Sequence, residues 1–300
     1  MIYQFAPILK STPWGGHRIR RMKGLTPSDA PIGESWELST VEGWDSVVES
    51  GPCAGLTLSA LIERDGAGLL GTRVWQRYGG RFPITIKFLD AREWLSLQVH
   101  PDDDIVADLE GPGFQGKTEM WHVIDAAPGA RLIAGFRPGI TAADYLRAEG
   151  RAELLEMGTY HAATPGSDFY IEAGMVHALG AGCFVAEIAQ NCDFTYRVYD
   201  YGRNRPLNFE KARRSLKFDG LGALEGPVDC FRVDSRRADG PAVIEPVEGS
   251  FQAVMLLGGS CEIDGRHVAA GSTLLISADH GPATLRPDGN GPVDYLTVST

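Results

Sequence analysis

Cysteine is scarce in this chain and unpatterned. Cys53, Cys183, Cys192, Cys230 and Cys261 are odd in number, widely spaced and never form a Cys-x-x-Cys pair. That argues against a disulfide framework and against a thiolate zinc cage. No apolar run approaches the roughly 18–20 residues that cross a bilayer, so no membrane partner is expected. The start, Met1-Ile2-Tyr3-Gln4-Phe5, lacks the basic and apolar regions of a secretory leader. A cytoplasmic location is the expectation. Positive charge is also short: 28 Lys and Arg face 39 Asp and Glu, a formal charge of −11. Nucleic acid, which needs a basic footprint, is therefore not an expected partner. A small anion is not excluded, because it responds to a few local cations in a cleft and not to the net charge.

What the chain has in quantity is punctuation. Thirty-seven glycines and 18 prolines divide 300 residues into many short apolar runs, a pattern that favours a β-rich architecture. Strands are expected over 83–89, 94–100, 119–125, 131–136, 168–171, 183–190 and 194–199. A second series runs through 230–234, 242–245, 251–258, 260–263, 266–268, 272–277, 283–287 and 293–298, with turn pairs such as Asp264-Gly265 and Ala270-Gly271 between them. A helix is expected over 57–78, despite its internal glycines. Another is expected from a Thr141/Asp144 capping box to about 157, and a third over 209–216 behind Asn208. Two β-rich units follow, 1–217 and 218–300, divided beside the basic segment 211–217.

The most informative stretch is Leu95-Ser96-Leu97-Gln98-Val99-His100-Pro101. Its alternation reads as a strand with Leu95, Leu97 and Val99 on one face and Ser96, Gln98 and His100 on the other. A hydroxyl, an amide and an imidazole on one face, ahead of a proline stop, look like part of a site. Three other segments carry similar chemistry. Gly116-Lys117-Thr118-Glu119 puts an ammonium and a carboxylate two residues apart, on one strand face. Tyr170 to His177 runs a strand through a glycine turn into a histidine, and in Phe194 to Arg203 the residues Thr195, Arg197 and Tyr199 share a face. Two imidazoles, a carboxylate and an amide oxygen suit a borderline divalent ion such as Zn²⁺. Spacing alone leaves Fe²⁺, Mn²⁺ and Ni²⁺ open.

These motifs, Gln98 to Asp103, Gly116 to Trp121, Ala173 to Ala178 and Ala186 to Arg203, resemble those of the type I phosphomannose isomerase family. Trp14-Gly15-Gly16, Gly33 to Ser39 and Pro83 to Lys87 extend the resemblance upstream, over roughly residues 1–217. The remaining residues match only in general β character. The resemblance implies a mainly β fold of cupin (jelly-roll) barrels with a few inserted helices. The first unit would be catalytic and the second metal-free and cupin-like, as in the compact bacterial form. It implies one zinc ion per chain, held by Gln98, His100, Glu119 and His177. Lys117 and Arg197 would be catalytic, and Ser96, Lys87 and Glu187 would line the substrate pocket. Two departures stand out. Glu172 occupies a position where the general cupin pattern has proline, and the span from His100 to Glu119 is long enough to imply an inserted loop.

The reaction so implied interconverts mannose 6-phosphate and fructose 6-phosphate by proton transfer between C2 and C1 through an enediol-like intermediate. Arg197 would stabilise developing negative charge, and Lys117 would bind an oxyanion or shuttle a proton. The base is left between Glu187 and a metal-bound water, and Lys87, Arg203 or Arg18 could contact the phosphate. The acidic Pro101–Asp104 segment reads as a solvated turn or as an anchor for His100. His17, His122, His161, His267 and His280 read as ordinary structural or surface residues, His122 on the face opposite Lys117 and Glu119. Two rival readings are a cupin Fe(II) oxygenase, disfavoured by Gln98 and the cationic pair, and a non-catalytic, metal-stabilised sugar-binding cupin. A monomer or homodimer acting on a small sugar phosphate is the expectation.

Overall fold

Strand Cys183–Gln190 is buried at every one of its positions, and so is Ile84–Asp90 beside it. A strand covered on both faces needs a layer on either side, and the rest of the fold supplies them. The computed structural model describes residues 1–218, 228–289 and 291–300. The two strands lie at the centre of a six-stranded antiparallel sheet ordered Asp168–Ile171, Glu119–Ala126, Cys183–Gln190, Ile84–Asp90, Glu34–Leu38, Ile8–Lys10. A five-stranded sheet, ordered Tyr196–Tyr199, Leu97–Val99, His177–Ala178, Arg131–Phe136, Gly158–Ala162, closes the sandwich. Leu89, Trp121, Val123, Leu132, Ala134 and Val185 pack between the two sheets.

The outer face of the five-stranded sheet carries Leu97, Val99, Ile133, Ala178 and Val198. It is covered by helices Ala142–Ala148, Leu154–Met157 and Phe209–Ser215 through Tyr145, Leu154 and Ala212. The outer face of the six-stranded sheet meets a second sandwich. Ile84, Ile86, Phe88, Met120 and Ile188 form one core with Tyr3, Phe5, Met255, Leu275, Leu296 and Val298. Burying such a side chain contributes about 1.5–3 kcal/mol, so this shared core ties the two halves together.

The second sandwich pairs a six-stranded sheet, Arg232–Ala238, Val293–Ser299, Gln252–Gly258, Thr273–Ile276, Ile2–Ala6, Val47–Val48, with a four-stranded one, Ala242–Ile244, Ala283–Pro287, Ser260–Ile263, Arg266–Ala269. The first strand of the chain thus lies in the second sandwich, with Ile2 opposite Ile276. Residues 219–227, next to the expected division at 217/218, lie outside the described residues.

The structure departs from the sequence expectations mainly in the helices. Region 57–78 is not one helix but three, Leu58–Asp65, Ala67–Leu70 and Thr72–Tyr78. The breaks fall at Gly66 (φ 51°) and Gly71 (φ 91°). At Gly71 a Cβ would stand 2.2 Å from the backbone of Gly249, so the close approach of the two segments demands glycine. The Thr141/Asp144 capping box forms as expected, but its helix ends at Ala148 instead of continuing to 157. Asn208 precedes helix Phe209–Ser215 without capping it; its Oδ1 accepts the Arg197 backbone N–H instead. The segment between His100 and Glu119 contains the short helix Val106–Glu110.

Candidate active site

Cross-strand register assembles the site. In the five-stranded sheet Gln98 lies opposite His177 on one side and Arg197 on the other, so one row across three strands carries an amide, an imidazole and a guanidinium. In the facing sheet Glu187 lies opposite Trp121 and Lys87, and Glu119 begins the same strand as Trp121. Side chains of one row point to one face, and these two rows face each other across the sandwich.

His100, Glu119 and His177 converge at the bottom of this space, all essentially without solvent exposure. Glu119 stands between the rings, with Oε2 3.4 Å from His100 Nε2 and Oε1 3.4 Å from His177 Nε2. The tautomers are set from behind. His100 Nδ1–H donates to the Phe194 carbonyl at 2.8 Å, and His177 Nδ1–H donates to the Met175 carbonyl at 2.9 Å. Each Nε2 therefore directs a lone pair at a carboxylate. Burial holds the His177 imidazole down to about 4, and burial with the nearby Lys117 charge also lowers His100. Two neutral imidazoles cannot donate to Glu119, and its Oε1 has no hydrogen bond.

Lys117 Nζ reaches His100 Nε2 at 3.4 Å, yet Glu119 Oε1 and His177 Nε2 still face each other as acceptors, an arrangement that a cation between them relieves. Ligand distances of about 2.1 Å at tetrahedral angles give ligand–ligand separations of about 3.4 Å, which these contacts match. Gln98 adjoins the centre, its Nε2 3.2 Å from His177 Nε2 and its Oε1 accepting from Ser96 Oγ at 3.0 Å. Rotating the amide by 180° exchanges the two atoms, turns Oε1 to the centre and keeps a bond to Ser96. The donor set thus fits a divalent ion.

Above this centre an alternating run of buried charges lines a cavity of about 170 Å³. Lys117 Nζ lies 2.7 Å from Glu119 Oε2 and 3.7 Å from Glu187 Oε1. Lys87 Nζ lies 3.1 Å from Glu187 Oε1, whose Oε2 accepts from Trp121 Nε1 at 3.3 Å. Burial opposes charge on Lys117, but the two carboxylates prevail and raise its pKa. Burial likewise opposes ionisation of Glu187 and Glu119, while the lysines prevail and lower both. Buried ion pairs contribute little net stability, so Lys87, Lys117 and Glu187 beside the His100/Glu119/His177 cluster point to chemistry.

Arg197 lines the same cavity. Its Nε is buried without a hydrogen bond, and its guanidinium makes no ion pair among the described residues. Ser96 is on the wall as well. A larger cavity of about 540 Å³, walled in part by Phe82, Phe114 and Phe194, lies beyond segment 191–194 and contains none of the converging histidines or glutamates.

The structure brings Gln98, His100, Glu119, His177 and Lys117 into mutual contact and sets Ser96, Lys87, Glu187 and Arg197 around the adjoining space. It does not bring in the other phosphate candidates. Arg18 is bound to Asp90 and to the carbonyls of Gly182 and Cys183. Arg203 is bound to the Trp94 carbonyl, Asp200 and Glu93. Nor does an aspartate anchor His100. Asp103 accepts from Gly116 N–H and Gln190, and Asp102 caps the turn at Ile105. His122 pairs with Asp168 outside the cavity.

Sequence reasoning missed Lys10 and Trp44. Lys10 Nζ sits 3.9 Å from the ring centroid of Trp36 and 3.7 Å from that of Trp44, a contact between residues far apart in sequence that no spacing rule reveals.

Paired jelly-roll sandwiches, the first lined by a Gln/His/Glu/His set, define a cupin. A family model for the catalytic domain of type I phosphomannose isomerase matches residues 2–113. The chain is 36% identical over 233 residues to the probable mannose-6-phosphate isomerase GmuF of Bacillus subtilis, covering 74% of this chain and 70% of that one. It is 38% identical over 214 residues to the mannose-6-phosphate isomerase ManA of the same organism, covering 69% and 65%. The crystal structure of mannose 6-phosphate isomerase from Bacillus subtilis superposes with a TM-score of 0.87 at 27% identity, over 100% of this chain and 99% of that one. The chain belongs to the type I phosphomannose isomerase family.

Proposed function

We propose that the protein is a zinc-dependent isomerase that interconverts mannose 6-phosphate and fructose 6-phosphate. The observation that carries this reading is the convergence of His100, Glu119 and His177 beneath a cavity that also holds an unpaired guanidinium, Arg197. Gln98, His100, Glu119 and His177 would hold the metal, with neutral nitrogen and hard oxygen donors that suit Zn²⁺. When bound it supplies Lewis-acid polarisation of the substrate's carbonyl and hydroxyl oxygens.

The chain's own groups supply the rest. An aldose–ketose isomerisation removes the C2 proton, delivers one to C1 and places transient negative charge on oxygen. Glu187, ionised between Lys87 and Lys117, is the carboxylate free of the histidine cluster and serves as the base. Arg197 presents fixed donors to the developing oxyanion, and guanidinium stays charged throughout. Lys117, braced by two carboxylates, acts as a fixed cation. Ser96 orients the Gln98 amide. Five free, scattered cysteines support a reducing, cytoplasmic setting.

The test is conversion of mannose 6-phosphate in D₂O, followed by NMR. Fructose 6-phosphate should form with solvent deuterium entering at the transferred position in part of the product. No turnover overturns the reading in favour of a sugar-binding cupin, and oxygen consumption without isomerisation points to an oxygenase.

A further inference from the structure

The cations on the cavity wall differ in how closely carboxylates hold them, and the wall also carries Glu34 and Asp193. Lys117 and Lys87 are held by Glu119 and Glu187, and Arg205, also on the cavity wall, is held by Asp200. Arg197 and Lys10 are the wall cations without a hydrogen-bonded acid partner among the described residues. Lys10 ends the edge strand Ile8–Lys10, opposite Glu34 in the register. That placement sends its ammonium between Trp36 and Trp44, whose centroids are 5.7 Å apart.

The nearest carboxylate oxygen, Glu34 Oε2, is 4.0 Å away and already accepts from Trp36 Nε1 at 2.7 Å. Lys10 Nζ makes no hydrogen bond among the described residues. Aromatic faces stabilise an ammonium without using its N–H groups, so the pair of indoles fixes the charge in place and leaves its donors available. Lys87 Nζ lies 3.9 Å from the same Trp36 centroid, which crowds positive charge at this end of the cavity. Burial, with Lys87 and Lys117 as like charges, lowers the Lys10 pKa. An entering anion relieves that crowding.

We propose that Lys10, held between Trp36 and Trp44, is a binding residue for the phosphate group of the substrate. The proposal rests on the isomerase reading above. A phosphate monoester carries about −1.5 to −2 charge near neutral pH and offers three acceptor oxygens. An ammonium whose N–H groups are not hydrogen-bonded suits those acceptors. Lys10 is not one of the side chains that converge on the histidine centre, so it acts on binding and not on proton transfer.

The test is steady-state kinetics of Lys10→Met and Lys10→Arg with mannose 6-phosphate, together with competitive inhibition by inorganic phosphate. Loss of one charge-assisted contact corresponds to about tenfold or more in affinity. Lys10→Met should raise KM and the phosphate inhibition constant by about that factor while kcat stays within about twofold. Lys10→Arg should recover most of the loss. kcat/KM for unphosphorylated mannose should be the same in wild type and Lys10→Met. Unchanged KM and phosphate inhibition in Lys10→Met overturn the proposal alone, as does an equal loss on mannose, which would mark a structural role. Absence of wild-type turnover overturns the isomerase reading and this proposal with it.

Discussion

Two imidazole lone pairs and a carboxylate point at one another across 3.4 Å with almost no solvent exposure, and the electrostatics of the site begin from that crowding. Each Nδ1 is committed to a backbone carbonyl, so neither ring can turn to relieve it. His177→Ala should therefore lose both bound metal and activity, measured by metal analysis and the isomerase assay. Arg197→Ala should retain the metal and lose about 3–4 kcal/mol of barrier stabilisation, roughly 10²–10³ in kcat. Near-full activity in that variant contradicts the role given to Arg197.

Acid should act on the metal-free protein through the same histidine. The His177 pKa is held down from 6.5 to about 4 in the fold, so the unfolded chain takes up its proton first as pH falls. This contribution to stability is complete above about pH 6.5 and is lost as pH falls toward 4. The urea midpoint of metal-free protein should drop across that window, and more steeply than in His177→Gln. Equal slopes for the two proteins contradict the assignment.

At the level of elements, glycine decides where regular structure stops. Gly71 lies at φ 91° with the Gly249 backbone where a Cβ would go. Gly71→Ala should destabilise the protein by about 1–3 kcal/mol, read as a lower midpoint in urea unfolding. The same residue shows why the 57–78 reading failed. Its apolar stripe of Leu58, Leu61, Ile62, Leu69, Leu70 and Val74 is buried as a helix stripe would be, but backbone contact with a segment nearly 180 residues later cuts it. Strands were more legible, since Arg131–Phe136, Asp168–Ile171 and Cys183–Gln190 follow directly from local alternation and length. Of the site, the Gln98/His100 face and the Lys117/Glu119 pair are local and visible in sequence. The Trp36/Lys10/Trp44 stack and the engagement of Arg18 with Asp90 depend on tertiary placement and are not.

Across the whole molecule, the two sandwiches are bound through a core that neither completes alone. Strand Ile2–Ala6 is inserted in the sheet built mainly from the last third of the chain, and the outer face of the catalytic sheet packs on that sheet through Phe88, Met255 and Leu296. A chain ending at residue 217 would expose this apolar face and leave the first strand without Thr273–Ile276 beside it. It should aggregate on expression, whereas a soluble, active 1–217 fragment would show that the second sandwich is dispensable. The net charge of −11 is no obstacle to an anionic substrate, because the field that matters is set by Lys10 and Arg197 inside one cavity.

The central claim is that the centre formed by Gln98, His100, Glu119 and His177 binds one metal ion on which isomerisation depends. It is tested most directly by stripping the protein with a chelator, verifying metal removal, and titrating Zn²⁺ back while assaying mannose 6-phosphate conversion. Activity should be lost on stripping, rise in proportion to added zinc and level off at one equivalent per chain. Full activity in the verified metal-free protein would contradict the claim.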